Sequence, residues 1–350
     1  MKVIIDISPV KNAHQWRGIG IYTRKLVEAL RRIGEKDFEL VLTENGQIPS
    51  DVDLIHYPYF DLFFPTLPIL KKKKTLVTIH DVIPLVFPQA YLPGVKGKIR
   101  FLHQKISLKG VKAIITDSFT SKRDISKYLN FPPKSIHVVY LAQAETFQQI
   151  KEPKLLEETR KKFNLPQEFV LYVGDITYHK NVSALAFVCR KLKIPLVIVG
   201  KQAAEKEFDR NHIENQSLVD FLKDYGDDPG VYRLGFVSEE DLVRIYNLAT
   251  VYCQPSLYEG FGLPVLEAMA CGCPVIASQT SSLSEIASEA ALFFSPENHD
   301  QLTSCLKDIL KDRQLRARMI ERGLQQSKKF SWEKTAQKTF AVYAEVVKKI

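Results

Sequence analysis

The chain of 350 residues is long enough for two domains of ordinary size, and its 45% hydrophobic and 25% charged content is that of a soluble globular protein. No uninterrupted apolar run can span a bilayer, and the opening MKVIIDISPV reads as a first strand without the flanks of a signal peptide, so a cytoplasmic location is expected. The formal charge of +9 is confined to one half: residues 1–150 hold 22 Lys and Arg against 13 Asp and Glu, while residues 151–350 hold 27 of each.

In chain order, apolar strands alternate with amphipathic helices twice over. The first half predicts strands at Val3–Ile7, Phe38–Leu42, Leu54–His56, Leu76–Ile79, Ala113–Thr116 and Ile136–Val139, with a helix at Ile21–Arg32. Gly18 and Gly20 precede that helix, but Thr23 stands where a dinucleotide fingerprint needs its third glycine, which argues against a nicotinamide site. Lys71 to Lys74 read as an exposed basic run, and His80 with Asp81 ends a strand, where a neutral imidazole beside an acid can position a hydroxyl. Val95, Ile99, Leu102 and Ile106 mark one face of a helix carrying Lys98, Arg100 and Lys105, with Lys109 beyond. Such a helix either lies on an anionic bilayer or is an ordinary domain helix with a solvated basic face. The polar stretch Gln143 to Glu158, with Pro153, reads as a linker.

The second half predicts strands at Phe169–Val173, Leu196–Val199, Val231–Leu234, Val251–Gln254, Val275–Ala277 and Ala291–Phe294, a helix at Glu239–Asn247, and a last amphipathic helix from Trp332 to Lys348. Alternation of this kind predicts an α/β chain of two doubly wound, Rossmann-like domains whose sheets are parallel. The strand ends would face one cleft, where ligands bind in such folds. The expected boundaries are 1–150, 151–330 and a terminal helix at 331–350. The five cysteines lack zinc spacing and are expected to be reduced, buried thiols.

The most informative segment is QPSLYEGFGLPVLEAMACGCPVIAS, from Gln254 to Ser278. Gly260 and Gly262 let backbone N–H groups approach an anion closely. Pro264 suits the start of a helix whose positive dipole end faces the same anion. Glu267, one turn in, can accept hydrogen bonds from a vicinal diol such as a ribose, and Glu259 sits before the turn. A capped helix with acids near its N-terminus is the structural alternative for either glutamate.

The whole segment resembles the donor-site signature of retaining glycosyltransferases of family four, an E-x7-E motif. RGIGIYTRKLVEAL at Arg17 to Leu30, VTIHDVIPL at Val77 to Leu85, TDSFTSKRDI at Thr116 to Ile125, LYVGDITYHKN at Leu171 to Asn181 and FSWEKTA at Phe330 to Ala336 are similar to family segments in the family's order. The resemblance implies the fold called GT-B, with a nucleotide-sugar donor on the second domain, an acceptor on the first, and a final helix that crosses back to the first.

For the site, the resemblance implies His80 beside the transferred sugar and Lys180 on the donor diphosphate. It further implies Glu259 toward the sugar, Glu267 on the ribose, and amides of Gly260, Phe261, Gly262 and Leu263 around them. Arg17, Gly18 and Gly20 would serve a phosphate from the other domain. Many members carry an Arg directly after the glycine of the Lys180 loop. Here Gly174 is followed by Asp175, which leaves His179 or Arg17 to supply charge.

The resemblance implies transfer without an essential metal or other cofactor, and the donor would be a GDP- or UDP-linked sugar. The branch most resembled is that of polysaccharide mannosyltransferases. The expected activity is therefore transfer of a hexose such as mannose to a glycan or lipid-linked acceptor in cell-envelope polysaccharide synthesis. Salt-sensitive attachment to the inner face of the membrane is expected, and a nucleic-acid partner is not. A sugar-nucleotide hydrolase or phosphorylase on the same fold, or a silent nucleotide-sugar-binding protein, are the alternatives.

Overall fold

The computed structural model describes residues 1–11, 18–44, 48–91 and 93–348. The chain divides into two compact units, the first made of Met1–Pro88, Leu92–Ala142 and Phe330–Ile350, the second of Gln89–Tyr91 and Gln143–Lys329.

In the first unit six strands, β1 (Lys2–Asp6), β2 (Glu39–Thr43), β3 (Leu54–Tyr57), β4 (Lys74–Thr78), β5 (Ala113–Thr116) and β6 (Ile136–Val138), form a parallel sheet in the order β2-β1-β3-β4-β5-β6. In the second, β7 (Val170–Val173), β8 (Leu196–Val199), β9 (Val231–Gly235), β10 (Val251–Gln254), β11 (Val275–Ser278) and β12 (Ala291–Phe294) form a parallel sheet ordered β12-β11-β10-β7-β8-β9. All twelve predicted strands are present, displaced at their ends by two residues at most.

Helices between the strands cover both faces, which is why the strands are apolar runs rather than alternating ones. In the second unit Val170, Tyr172, Leu196, Ile198, Val251 and Cys253 pack into one core layer. Their sequence neighbours Leu171, Val197, Val199 and Tyr252 pack into the other, as the two-residue period of a strand requires. Four of the five cysteines are buried in this unit as thiols, and Cys305 is half-buried.

Three expectations change. The helix Gly18–Arg32 includes both glycines, so Gly18 and Gly20 are helical instead of lying in a loop. The buried stripe of Tyr22, Thr23, Leu26, Val27 and Leu30 offsets the roughly 1 kcal/mol that each glycine costs a helix. The stretch 143–158 is not a linker. Phe147 is buried in the core of the second unit, the Ile150 amide donates to Asn247 Oδ1 at 2.8 Å, and a helix begins at Pro153.

Nor is Lys71 to Lys74 a free basic run. Lys71 Nζ donates to the Ser107 carbonyl at 2.5 Å, Lys73 Nζ to that of Ser50 at 2.6 Å and Lys74 Nζ to that of Val347 at 2.8 Å, leaving Lys72 as the exposed member. Burial lowers the Lys71 pKa to about 8. Backbone carbonyls left over at loop and helix ends attract these ammonium groups.

The last helix, Trp332–Lys348, packs within the first unit against the helix Gly18–Arg32. Tyr343 on it anchors a buried hydrogen-bonded chain. Its hydroxyl meets His56 Nδ1 at 2.6 Å, His56 Nε2 meets Thr78 Oγ1 at 2.8 Å, and Thr78 Oγ1 meets the Tyr22 hydroxyl at 3.1 Å. Burial drives the His56 pKa down to about 3, so the imidazole is a neutral link. Among the described residues no helix is long and apolar enough to cross a membrane.

Candidate functional site

In the second sheet the strand order reverses between β7 and β10. The chain leaves β7 toward β8 and β9 on one side and runs from β10 toward β11 and β12 on the other. Such a switch point leaves a crevice beyond the strands' carboxyl ends. The loops that leave these two strands carry Lys180 and Glu259, and the fold brings them together.

Lys180 Nζ donates to both carboxylate oxygens of Glu259, at 2.8 and 2.9 Å. Glu259 Oε1 also accepts from Gln254 Nε2 at 2.8 Å and Ser256 Oγ at 2.6 Å. Burial alone would raise the Glu259 pKa, for the residue is only 6% exposed, but the Lys180 ammonium and these donors hold it below the ordinary value. Backbone contacts fix the approach: the Leu257 amide donates to the His179 carbonyl at 2.7 Å, and Asn181 Nδ2 reaches the carbonyls of Pro255 and Pro296.

After Glu259 the chain passes the buried Gly260 and Phe261 to Gly262, at φ +105, and enters the helix Leu263–Ala270 with Pro264 in its first turn. Gly262 is required by its positive φ, which disfavours a side chain; a Cβ there would also press on Leu283 Cδ2, the movable end of a leucine. The segment after β11 pins this turn. Ser281 Oγ accepts from the Glu259 amide at 2.8 Å, and Ser282 Oγ donates to the carbonyls of Glu259 and Phe261 at 3.0 and 2.8 Å. Pro264 has no N–H and the Val265 amide donates to the Gly262 carbonyl at 3.0 Å, so it is the glycine turn and the positive dipole end of the helix that suit an anion beside the Lys180–Glu259 pair.

Glu267 lies on the same helix, partly buried, its Oε2 accepting from the Tyr246 hydroxyl at 3.0 Å. Burial raises its pKa to about 7, the Tyr246 hydrogen bond opposing and Glu239 adding to the rise. Without a ligand this carboxyl is therefore poised to exchange a proton near neutrality.

Asp175 is exposed after Gly174. His179 does not make up the missing cation, nor is it solvated: its Nδ1 meets the Tyr91 hydroxyl, and burial, reinforced by Lys180, pushes its pKa down to about 3. Arg17 lies outside the described residues.

In the first unit His80 sits two residues beyond β4. Its Nδ1 is 2.7 Å from Asp117 Oδ2, Asp117 following β5 on the neighbouring strand, and its ring packs edge-on against Tyr22 with centroids 4.7 Å apart. Burial works against a charged imidazole, but the Asp117 carboxylate outweighs it and raises the His80 pKa. Nε2 of His80 and Oδ1 of Asp117 are buried with no hydrogen-bond partner. Nδ1–H donates to the acid, leaving Nε2 as the atom able to act on a ligand. Asp81 serves locally, its Oδ1 accepting from the Ile83 amide at 3.0 Å. Gly18 and Gly20 lie in the helix Gly18–Arg32.

Sequence reasoning missed Asp117, Tyr246, Ser281 and Ser282. The only advance sign of Asp117 was an acid at the end of the strand beside the one that carries His80. A Ser-Thr run directly after a strand marked the other pair.

A model described as glycosyl transferases group 1 matches residues 156–326, and one described as Glycosyltransferase Family 4 matches residues 21–142. The chain is 29% identical over 279 residues to the O-antigen chain mannosyltransferase B of Escherichia coli, covering 77% of this chain and 70% of that protein. It is 27% identical over 271 residues to the serotype-specific mannosyltransferase WbdA of Escherichia coli, spanning 75% of this chain but only 32% of that longer protein.

Among solved structures, the sucrose-phosphate synthase of Thermosynechococcus elongatus superposes with a TM-score of 0.74 at 18% identity, covering 99% of this chain and 98% of that one. Anabaena HepE in complex with UDP and glucose gives 0.72 at 14% identity, with 99% and 100% coverage. At such identities these structures speak for the fold alone.

Proposed function

We propose that this chain, whose residues 156–326 match the group 1 glycosyltransferases and residues 21–142 match family 4, transfers mannose from a GDP- or UDP-linked donor to a glycan or lipid-linked acceptor, with retention of anomeric configuration. The observation that carries the reading is the Lys180–Glu259 pair, set at the switch point of the second sheet beside the glycine turn and the N-terminus of the helix Leu263–Ala270. The mannose assignment leans on the names of the sequence relatives. The nucleotide assignment leans on the chemistry of the site.

In this reading the donor diphosphate lies at the glycine turn before that helix, facing its positive dipole end, and Lys180 turns from Glu259 toward the phosphate. There its charge stabilises the nucleotide as it leaves. Glu259, freed of part of its ion pair, accepts hydrogen bonds from the sugar. Glu267 gives up its proton and binds the ribose diol through a carboxylate, a stronger acceptor than the acid. His80, oriented by Asp117, meets a hydroxyl of the transferred sugar through Nε2. Gly18 and Gly20 serve a phosphate oxygen.

A panel of nucleotide sugars tests this, first for binding and then for release of nucleotide with and without a glycan acceptor. Acceptor-dependent release with the product anomer matching the donor is the expected result. Release without any acceptor would assign a hydrolase instead, and binding without release a silent sugar-nucleotide protein.

A further inference from the structure

The helix Val95–Ser107 is oriented against the usual sense. A surface helix normally turns its apolar stripe to the core, but here Val95 is 76% exposed, Ile99 64% and Leu102 59%, and Ile106 continues the same stripe. The fully buried positions are polar: Gln104, whose Nε2 donates to the Asp61 carbonyl at 2.7 Å and to Thr66 Oγ1 at 2.9 Å, and Ser107.

The segment that receives these bonds adds to the apolar surface. Leu70 is 84% exposed, and Phe64, 58% exposed, lies under the Arg100 guanidinium at 5.0 Å. Lys71, tied to the carbonyl of Ser107, holds this segment to the end of the helix.

Charge identifies the occupant. Lys96, Lys98, Arg100 and Lys109 are exposed around the stripe, and residues 82–116 contain no Asp or Glu at all. A solvated helix ordinarily mixes both signs. An apolar stripe rimmed only by cations fits a surface that is apolar inside and anionic at its rim. We propose that the face formed by Val95, Ile99, Leu102, Ile106, Phe64 and Leu70 docks the first unit on an anionic lipid bilayer. The apolar side chains enter the acyl boundary and the cations sit among the headgroups. Lys71 to Lys74, apart from Lys72, take no part, because their ammonium groups are spent on backbone carbonyls.

Flotation of the full chain with vesicles of phosphatidylcholine alone, and of equal parts phosphatidylcholine and phosphatidylglycerol, tests the proposal. Recovery should be at least about tenfold higher with the anionic vesicles and should fall as salt is added. Lys96→Ser with Lys98→Ser should weaken anionic-vesicle binding by about thirtyfold, two surface cations at roughly fivefold each. Ile99→Ser with Leu102→Ser should abolish binding to both vesicle types while the melting temperature stays that of the parent, since both side chains already face solvent. Leu70→Ser, on a different segment, should weaken binding in the same direction. Equal recovery from neutral and anionic vesicles, or undiminished binding by the Ile99→Ser, Leu102→Ser chain, would overturn the proposal. A concentration-dependent dimer in sedimentation that this double substitution dissolves would overturn it too, and would give the face to a second copy of the chain.

Discussion

Glu267→Gln separates the chemistry of the ligand-free site from that of the occupied one. The Glu267 carboxyl has a pKa near 7 in the folded chain, raised chiefly by burial and further by Glu239, against about 4.5 unfolded. Each pH unit of such a gap is worth about 1.4 kcal/mol. The full gap thus amounts to roughly 3 kcal/mol, and about 1 kcal/mol is the floor once solvent screening of this partly exposed group is allowed for.

The sign follows from proton counting. Below pH 4.5 both states hold the proton and nothing is lost. Between 4.5 and 7 the unfolded chain releases it while the native chain keeps it, so stability falls as pH rises; above 7 the penalty is constant. Glutamine keeps an oxygen for the Tyr246 hydroxyl and cannot ionise. Urea unfolding of both chains at pH 4 and pH 8 should give nearly equal stability at the lower pH and roughly 1 to 3 kcal/mol in favour of the variant at the higher. Parallel profiles at the two pH values would refute the reasoning. The same carboxyl makes nucleotide-sugar affinity of the parent rise with pH up to about 7, while the variant binds weakly and without that slope.

Glu267→Ala should weaken nucleotide-sugar binding by roughly 1.5 to 3 kcal/mol in calorimetry, and unchanged affinity would remove the ribose from this helix. His80→Ala should lower turnover far more than it raises the donor dissociation constant, and Asp117→Asn should shift the pH–rate profile to lower pH because the carboxylate no longer raises the His80 pKa; equal losses in turnover and binding would make His80 a binding residue only. Glu259→Ala leaves the largely buried Lys180 ammonium without its carboxylate and should cost about 2 to 4 kcal/mol of stability, of which adding Lys180→Met should restore a large part in thermal melts. At the ends of β7 and β8 an added Cβ on Gly200 would press into the Gly174 carbonyl, so Gly200→Ala should destabilise the second unit by about 2 kcal/mol or more in the same melts.

The strands were legible because each is a short apolar run cut off by polar or glycine-bearing loops, and both faces of each sheet are covered. Glu259, Gly262 and Glu267 were legible because a strand, a turn and a helix within 25 residues set their geometry locally. The helical state of Gly18 and Gly20 was not, since tertiary burial of Tyr22 and Leu26 overrides what the glycines prefer. Nor was the fate of Lys71, Lys73 and Lys74, whose partners lie far along the chain, at Ser107, Ser50 and Val347. Asp117 and Tyr246 belong with these. Adjacency between parallel strands or neighbouring helices is a product of the assembled sheet, and spacing along the chain does not disclose it.

The buried chain from Tyr343 through His56 and Thr78 to Tyr22 also bears on the order in which the molecule assembles. His56 and Tyr343 are 287 residues apart, and closing a loop of that size in an unfolded chain costs on the order of 5 kcal/mol of entropy before any contact rewards it. Folding of the second unit removes most of that cost in advance. Gln143 at the start of its long segment and Ser327, two residues before the end, are joined by a hydrogen bond of 3.4 Å, so once it is formed the intervening residues act as a short bridge rather than a long loop. The second unit, continuous but for three residues, can fold without the last helix, whereas the first must wait for Trp332–Lys348 to pack against Gly18–Arg32. Loss of the second unit's structure would therefore loosen the terminal helix as well, with no direct contact required, by returning to it the entropy of a long tether.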